Sequence, residues 1–207
     1  MTILGTNLSD ATYQAPGYPL PTQLGPTSVT VNGSVVPLYY VSPTQINFEM
    51  PSGAPATTVQ VGVTNGFTQL PTAQQQAINL TGVDPGLFVN SSNRAAALNQ
   101  DLTPHTPTTP VPAGGYILLY MTGGGPISPT LPDGAAAPSS PLSLLTGNVQ
   151  VSVGGKPARV TYAGVASGFA GLSQINVIVP AGLAAGDQPI VATVNGVSSN
   201  AGLISVK

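Results

Sequence analysis

Two pairs of amide side chains are the most specific polar feature of the sequence. Gln45 and Asn47 flank one isoleucine, and Gln174 and Asn176 repeat the same order. Residues two apart on a strand share a face, so each pair would present two amides side by side. Because amides donate and accept hydrogen bonds, the pairs suit either sugar hydroxyls or the backbone of a neighbouring loop. Their presence in two copies favours the structural role, because ligand sites seldom need duplication.

Tyrosines offer a second kind of contact, because aromatic rings can stack on a sugar or a partner protein. Tyr13 and Tyr18 lie in a loop-like segment, residues 11–21, and we expect them to be exposed. The tyrosines at positions 39, 40, 120 and 162 follow strand patterns and are expected to lie in sheets. The chain has no tryptophan, which argues against a carbohydrate-binding module.

Catalytic machinery is not predicted. The chain has one histidine, His105, with Asp101 four residues before it. A histidine base needs a nucleophile and an orienting partner, and the composition permits such a set without indicating one. A Gly-x-Ser-x-Gly nucleophile motif is absent. We therefore expect His105 to be an exposed loop residue, the protein not to be an enzyme, and catalytic residues to be none.

Metal and cofactor sites are not predicted either. The six acidic residues are scattered, the chain has no cysteine, and no Asp-x-Asp-x-Asp calcium loop occurs. The run Gly123-Gly-Gly125 follows an apolar segment but lacks the lysine of a phosphate-binding loop. A calcium site built from loop carbonyls with Asp84 or Asp133 is the one alternative left open.

Composition narrows the class of protein. The net charge is −2, and four basic residues cannot supply the basic face that nucleic acid requires. No apolar run approaches the about 18 residues that predict a membrane-spanning helix. Charged residues are 5% of the chain, against about 25% in ordinary soluble proteins. This composition is typical of a bacterial secreted or cell-surface protein, and a start within a predicted strand suggests a fragment or processed form.

The sequence contains an internal repeat. Residues 28–51 and 150–180 share the order strand, tight turn, strand, loop and strand, and the last strand opens with Gln-Ile-Asn and ends at proline. Val29 aligns with Val151 and Gln45 with Gln174, so the second copy carries seven extra residues, placed around 163–171. Repetition on this scale indicates two copies of one folding unit.

The fold prediction follows from short alternating apolar segments separated by turn residues. Asn-Gly and Gly-Gly pairs at 32–33, 65–66, 154–155 and 195–196 predict tight hairpins. We predict an all-β chain of two tandem immunoglobulin-like β-sandwich domains, residues 1–84 and 113–207. Residues 85–112 form a proline-rich join with short strands. The join is either a stiff connector or a cover for a sheet edge.

A family resemblance spans almost the whole chain. It consists of nine motifs in order: Leu4-Gly-Thr-Asn-Leu8, Pro19-Leu-Pro-Thr22, Val29-Thr-Val-Asn-Gly33, Tyr40-Val-Ser-Pro-Thr-Gln-Ile-Asn47, Pro85-Gly-Leu-Phe88, Ala97-Leu-Asn-Gln-Asp101, Thr122-Gly-Gly-Gly-Pro126, Asp133-Gly-Ala-Ala-Ala-Pro138 and Gly196-Val-Ser-Ser-Asn200. Together they resemble the uncharacterised C-terminal domain family of large secreted proteins from Solibacter-type acidobacteria. Each half also resembles an immunoglobulin-like TIG-type module. The resemblance implies an extracellular, non-enzymatic module without assigned catalytic residues.

Two functions are therefore expected. The first is a structural or adhesive module of a secreted or cell-surface protein, which associates with itself or with other envelope proteins; strand addition into a filament is its sharper form. The alternative is a carbohydrate- or polymer-binding module appended to a larger protein. In that case Tyr13, Tyr18 and the two amide pairs would contact the polysaccharide.

Overall fold

The structure is a computed structural model that describes residues 1–66 and 74–207. Within them the backbone forms strands, turns and loops and contains no helix, so the predicted all-β class is confirmed. A helix able to cross a membrane is accordingly not found in these residues. The chain divides into two compact units. Unit 1 comprises Met1–Gly82, Thr130–Ser140 and Ser167–Gly171, and unit 2 comprises Val83–Pro129, Pro141–Ala166 and Leu172–Lys207. The division of the sequence at residues 84 and 112 stays a prediction.

Unit 1 is a sandwich of two antiparallel sheets. Its strands are β1 (Thr2–Leu4), β2 (Tyr13–Gln14), β3 (Gln23–Leu24), β4 (Thr27–Val31), β5 (Ser34–Val35), β6 (Leu38–Val41), β7 (Gln45–Phe48), β8 (Thr58–Asn65) and β9 (Gln74–Asn79). One sheet has the order β1-β7-β6-β2, and the other has the order β3-β4-β8-β9 with β5 beside β4. Both contribute to one core, in which Ile46 and Phe48 are buried. Each such side chain stabilises the fold by roughly 1.5–3 kcal/mol.

Unit 2 repeats this arrangement with additional strands. They are β10 (Gly86–Leu87), β11 (Ala97–Asn99), β12 (Tyr116–Thr122), β13 (Ile127–Ser128), β14 (Leu144–Leu145), β15 (Val149–Val153), β16 (Lys156–Val165), β17 (Ser173–Ile178), β18 (Gly186–Val194), β19 (Val197–Ser198) and β20 (Gly202–Val206). The main order is β10-β12-β17-β16-β15-β18-β19, with β20 beside β18. The start of β16 pairs with β15 and its remainder with β17, so this strand joins the two layers.

The internal repeat is visible in the strand pairing. β1 lies against β7 with Ile3 opposite Ile46, and β12 lies against β17 with Leu119 opposite Ile175. Both copies also carry a register shift at the same place, in the pairing of β6 with β7 and of β16 with β17. The extra residues of the second copy lengthen the end of β16 and the loop between β16 and β17. Duplication of the sequence thus reproduces irregularities as well as strands.

The predicted hairpin turns have the backbone that such turns require. Asn32 and Gly33 have φ values of 49° and 82°, and Asn195 and Gly196 have φ values of 50° and 85°. Asparagine and glycine tolerate this left-handed region, which two-residue turns need at both positions. The turn predicted at 65–66 differs, because Asn65 still belongs to β8. The rest of that connection, residues 67–73, lies outside the described residues.

The proline-rich join packs within unit 2 as the cover of a sheet edge. β10 and β11 both pair antiparallel with β12, and Val111 bridges to Val206. The continuous apolar run at residues 116–121 predicts a central strand. β12 is such a strand, and its residues Ile117, Leu119 and Met121 are fully buried. Of the two interpretations of the join, the covering segment is the one observed.

Candidate binding site

The two amide pairs have the same geometry in both units. Gln45 lies on β7 with Asn47, and its side-chain Nε2 donates to Asn47 Oδ1 at 2.8 Å. On β17, Gln174 Nε2 donates to Asn176 Oδ1, also at 2.8 Å. The alternating burial of both strands places these amides on the face opposite the core. The bond joins two side chains on one strand, whereas the structural interpretation expected bonds to loop backbone.

The first pair has one contact that the second lacks. Thr2 Oγ1 donates to Asn47 Oδ1 at 3.0 Å, so the amide pair also ties β1 to β7. Leu118 occupies the equivalent place on β12 and has no hydroxyl, as the shared register shows. The asparagine side-chain oxygens of both pairs thus accept hydrogen bonds inside the fold. Whether either pair also contacts a ligand stays a prediction.

The two candidate tyrosines are separated in unit 1. Tyr13 lies on β2, half-buried, and donates from its hydroxyl to Asp10 Oδ2 at 3.3 Å, a hydrogen bond that raises the pKa of Tyr13. Its ring lies over Gly25, where an added Cβ would stand 2.4 Å from a ring carbon. Tyr13 is therefore a packed residue and not the exposed one predicted. Tyr18, in contrast, is 39% exposed, as predicted.

Tyr18 borders an open cleft of about 240 Å³ on unit 1. The cleft is lined by Gln14, Ala15, Gly17, Tyr18, Leu20 and Tyr39. Its two rings meet edge to face, with centroids 6.3 Å apart and planes at 82°. The volume is just below the roughly 300–1,000 Å³ of typical small-molecule pockets.

Tyr39 is the aromatic lining residue that was predicted as a sheet residue and not as a contact. It belongs to β6 beside the register shift, and its hydroxyl donates to the Ala170 carbonyl within unit 1. Burial raises the pKa of Tyr39, so its phenol stays neutral. Comparison of the repeats could have identified Tyr39, because the first repeat has two tyrosines, Tyr39 and Tyr40, where the second has Thr161 and one tyrosine.

Glu49 is a half-buried carboxylate with a dedicated partner in unit 1. The Gly134 N–H donates to Glu49 Oε2. Nearby, the Ser52 N–H donates to Asp133 Oδ1 at 2.9 Å. Burial raises the pKa of Glu49, and the Gly134 hydrogen bond opposes this shift. The fold thus holds a charged group that would be more stable in water.

His105 is buried in unit 2, which corrects the prediction of an exposed loop residue. It is 9% exposed, and its Nε2 accepts from the Ser205 N–H at 2.9 Å. Its Nδ1 lies 2.9 Å from Asn99 Oδ1 and therefore carries the ring proton. Burial, with a contribution from the Arg94 charge, lowers the pKa of His105. Nε2 thus fastens the join segment to the last strand, and Nδ1 fixes the ring within the join segment.

A serine and an aspartate lie near this histidine without forming a catalytic relay. Ser205 Oγ donates to Asp187 Oδ1 at 2.8 Å and accepts from Arg94 Nη1 at 3.0 Å. Arg94 Nη2 also pairs with Asp187 Oδ2 at 2.7 Å, and this bond holds the pKa of Asp187 low. A relay requires the serine hydroxyl to bond the histidine ring. Here the ring bonds the serine's backbone N–H instead.

Metal-ligating groups do not converge in the part of the chain that the structure describes. No cluster of three or more acidic or histidine side chains occurs there. Asp133, one of the two residues named for a calcium site, accepts the Ser52 N–H with one oxygen. The absence of a metal remains an expectation from the sequence.

Comparison with known proteins gives one family match and one structural likeness of note. Residues 1–78 match the model described as TIG: IPT/TIG domain. A comparison with curated proteins gives no match. Among solved structures, the chain is similar to the Bacteroides ovatus mixed-linkage glucan utilization locus SGBP-B, solved in complex with a mixed-linkage heptasaccharide. The identity is 15% and the TM-score 0.33, and the likeness covers 100% of this chain and 40% of that chain.

The family match agrees with the architecture. It covers the first repeat, whose strands form the two-sheet sandwich of unit 1. The resemblance to the acidobacterial C-terminal family stays a prediction. The first repeat is therefore similar to IPT/TIG domains, and the chain is built from immunoglobulin-like β-sandwiches.

Proposed function

We propose that this chain is a non-enzymatic structural or adhesive module of a secreted or cell-surface bacterial protein. The observation that carries the proposal is that the side chains most suited to catalysis make hydrogen bonds and an ion pair within the fold. His105 binds backbone and amide groups, and the Arg94–Asp187 pair encloses the Ser205 hydroxyl. The scarcity of charge and the duplicated sandwich support an extracellular scaffold.

The absence of catalysis is tested by comparing matched variants on hydrolytic substrates. Wild-type chain, His105→Asn and Ser205→Ala are assayed on panels of esters, glycosides and peptides. We expect no turnover above the buffer rate, and no difference between wild type and variants. A hydrolysis rate that falls at least about a hundredfold in His105→Asn, while the variant stays folded by circular dichroism, would reveal general-base catalysis and contradict the proposal.

Self-association into a filament by strand addition is the sharper form of this proposal. It is supported by β1, an edge strand of three residues that carries neither a charge nor a proline. Sedimentation velocity over a wide concentration range and negative-stain microscopy test it. Concentration-dependent polymers are expected, and monodisperse monomers at every concentration would eliminate the filament and leave other envelope proteins as partners.

Binding of a carbohydrate or another polymer is the second candidate function, and the cleft beside Tyr18 favours it. A ring exposed next to Gln14 and Tyr39 combines a stacking surface with an amide. Glycan arrays and retention on insoluble polysaccharides test this function. Tyr18→Ala should abolish retention, whereas Tyr13→Phe, outside the lining, should leave it unchanged. A wild-type chain that binds no glycan would exclude the candidate.

A further inference from the structure

β1 and β12 occupy the same position in the two repeats, but their outer edges differ. The register of each strand on its inner neighbour makes Leu4 the equivalent of Tyr120, since both lie opposite the glutamine of an amide pair. On the outer side of β12 lie β10 and β11. On the outer side of β1 the sheet ends, as far as the residues described extend.

The backbone of Tyr120 shows what the covered edge provides. Its N–H donates to the Ala96 carbonyl at 3.2 Å, and its carbonyl accepts from the Phe88 N–H at 3.2 Å. Both bonds point away from β17. The covering strands thus satisfy the donor and the acceptor that an edge would leave open.

The same two groups of Leu4 point away from β7. In an antiparallel pair, every second residue bonds its inner neighbour. Met1 exchanges bonds with Phe48, and the Gly5 N–H donates to the Thr44 carbonyl at 3.1 Å. Thr2 and Leu4 alternate with these inward-bonded residues and direct their N–H and carbonyl groups outward. The Leu4 side chain is 75% exposed, so the edge is accessible.

We propose that the outer edge of β1 is a docking site for an extended, uncharged peptide segment of a partner protein, which adds antiparallel to the sheet. We infer the chemistry of the docked segment from the strand that covers the equivalent edge, that of β12. There the added strand is Ala97–Asn99, preceded by Ala96, and it contains alanine, leucine and one amide side chain, without a charge. β1 itself has no charged side chain that would attract a charged segment. Main-chain bonds to Thr2 and Leu4 provide the affinity, as in other cases of strand addition.

This inference goes beyond the proposed function, because it gives the β1 edge a donor chemistry that need not come from a second copy. Its test uses the full chain, labelled with ¹⁵N, and a synthetic peptide with the sequence of Ala95–Gln100. The peptide should shift the amide signals of Thr2, Ile3 and Leu4 saturably and slow hydrogen exchange at Thr2 and Leu4. A peptide with proline in place of its leucine serves as the unpairable control.

Two chain variants separate backbone pairing from other contacts. Leu4→Pro removes an outward N–H without removing a bond to β7, so it should weaken peptide binding about tenfold or more, the loss expected for a hydrogen bond and its neighbours. Leu4→Ser keeps the N–H and should bind within a fewfold of wild type. Circular dichroism and the β7 signals confirm that both variants are folded.

Three results would overturn the inference. The first is no shift up to the solubility limit of the peptide. The second is a set of shifts centred on β12, which would mean that the peptide competes with the chain's own covering segment. The third is equal loss of peptide binding in Leu4→Pro and Leu4→Ser, which would mean that the leucine side chain and not the backbone edge holds the peptide. The hydrolysis assay for the proposed function is independent of all three.

Discussion

Unit 1 and unit 2 share strand order, amide pairs and a register shift, yet they treat the same edge differently. In unit 2, residues 85–112 cover β12 and are held by His105. In unit 1, the equivalent strand β1 ends its sheet within the described residues. The amide pair of unit 1 holds this edge strand through Thr2, whereas its counterpart has no such bond. The shared strand order, amide pairs and register shift build the sandwich in both units. The units differ in how the edge beside β1 or β12 is treated.

A second difference concerns polarity on the strand that carries the amides. Glu49 follows β7 in unit 1, and the equivalent position in unit 2 is Ile178. Tyr39, at the register shift, likewise corresponds to Thr161. Unit 1 therefore carries the half-buried acid and the aromatic cleft, in addition to its open edge. These features make unit 1 the better candidate for partner contacts.

The largest effect is expected from removing the residue that fastens the cover. His105→Ala leaves the buried Ser205 N–H without its acceptor, which should cost about 1–3 kcal/mol. For a chain of this size each kcal/mol lowers Tm by roughly 2–4 °C. The matched control is Thr108→Ala, an exposed residue of the same segment. Equal Tm values for the two variants would show that His105 does not hold the cover.

Acidification should reduce the stability that His105 contributes. The pKa of His105 is lowered in the fold, so the unfolded chain takes up a proton more readily. Its contribution to stability is complete above the unfolded pKa of about 6.5 and declines as pH falls through that value. Thermal unfolding between about pH 7.5 and about pH 5 should show a Tm decline that is smaller in His105→Ala. A decline of the same size in both proteins would assign it to other groups.

A moderate effect is expected from the amide pairs. Asn47→Ala and Asn176→Ala each remove the acceptor of a glutamine N–H, which should cost about 1 kcal/mol. Asn47→Ala should cost more, because it also deprives the Thr2 hydroxyl of its acceptor and loosens β1. Denaturant unfolding measures both, with the exposed Gln60→Ala as control. A larger loss for Asn176→Ala would reverse the comparison.

The smallest effect is expected at Glu49. Its pKa is raised by burial, so its contribution to stability is complete below the ordinary value of 4.5 and falls as pH rises. Glu49→Gln keeps an oxygen that can accept the Gly134 N–H and removes the charge. At neutral pH we expect Tm to rise by no more than about 2 °C, because partial exposure screens the charge. A fall in Tm would mean that the ionised carboxylate is needed.

The sequence predicts the sandwich well because its determinants are local. Alternation around Ile46 and Ile175 sets the buried faces, and turn pairs such as Asn32-Gly33 fix hairpins without tertiary information. Even the central place of β12 follows from an apolar run that has no polar face.

The missed features depend on contacts between residues distant in sequence. His105 lies between two segments rich in proline and threonine, yet its ring reaches a strand one hundred residues later. Tyr13 packs over Gly25, which no periodicity indicates. Tyr39 joins the cleft because of a register shift that displaces its side chain from a regular strand pattern. Polar residues in loops are placed by such contacts, so their exposure cannot be derived from composition.

Hydrogen exchange at the equivalent amides of Leu4 and Tyr120 tests the central comparison most directly. Leu4 and Tyr120 occupy equivalent places in the repeat, but among the described residues only the Tyr120 N–H has an acceptor, Ala96, on the outer edge. The account predicts strong protection at Tyr120, close to that of core amides such as Ile175, and fast exchange at Leu4. Equal protection of the two amides, or slower exchange at Leu4, would contradict it.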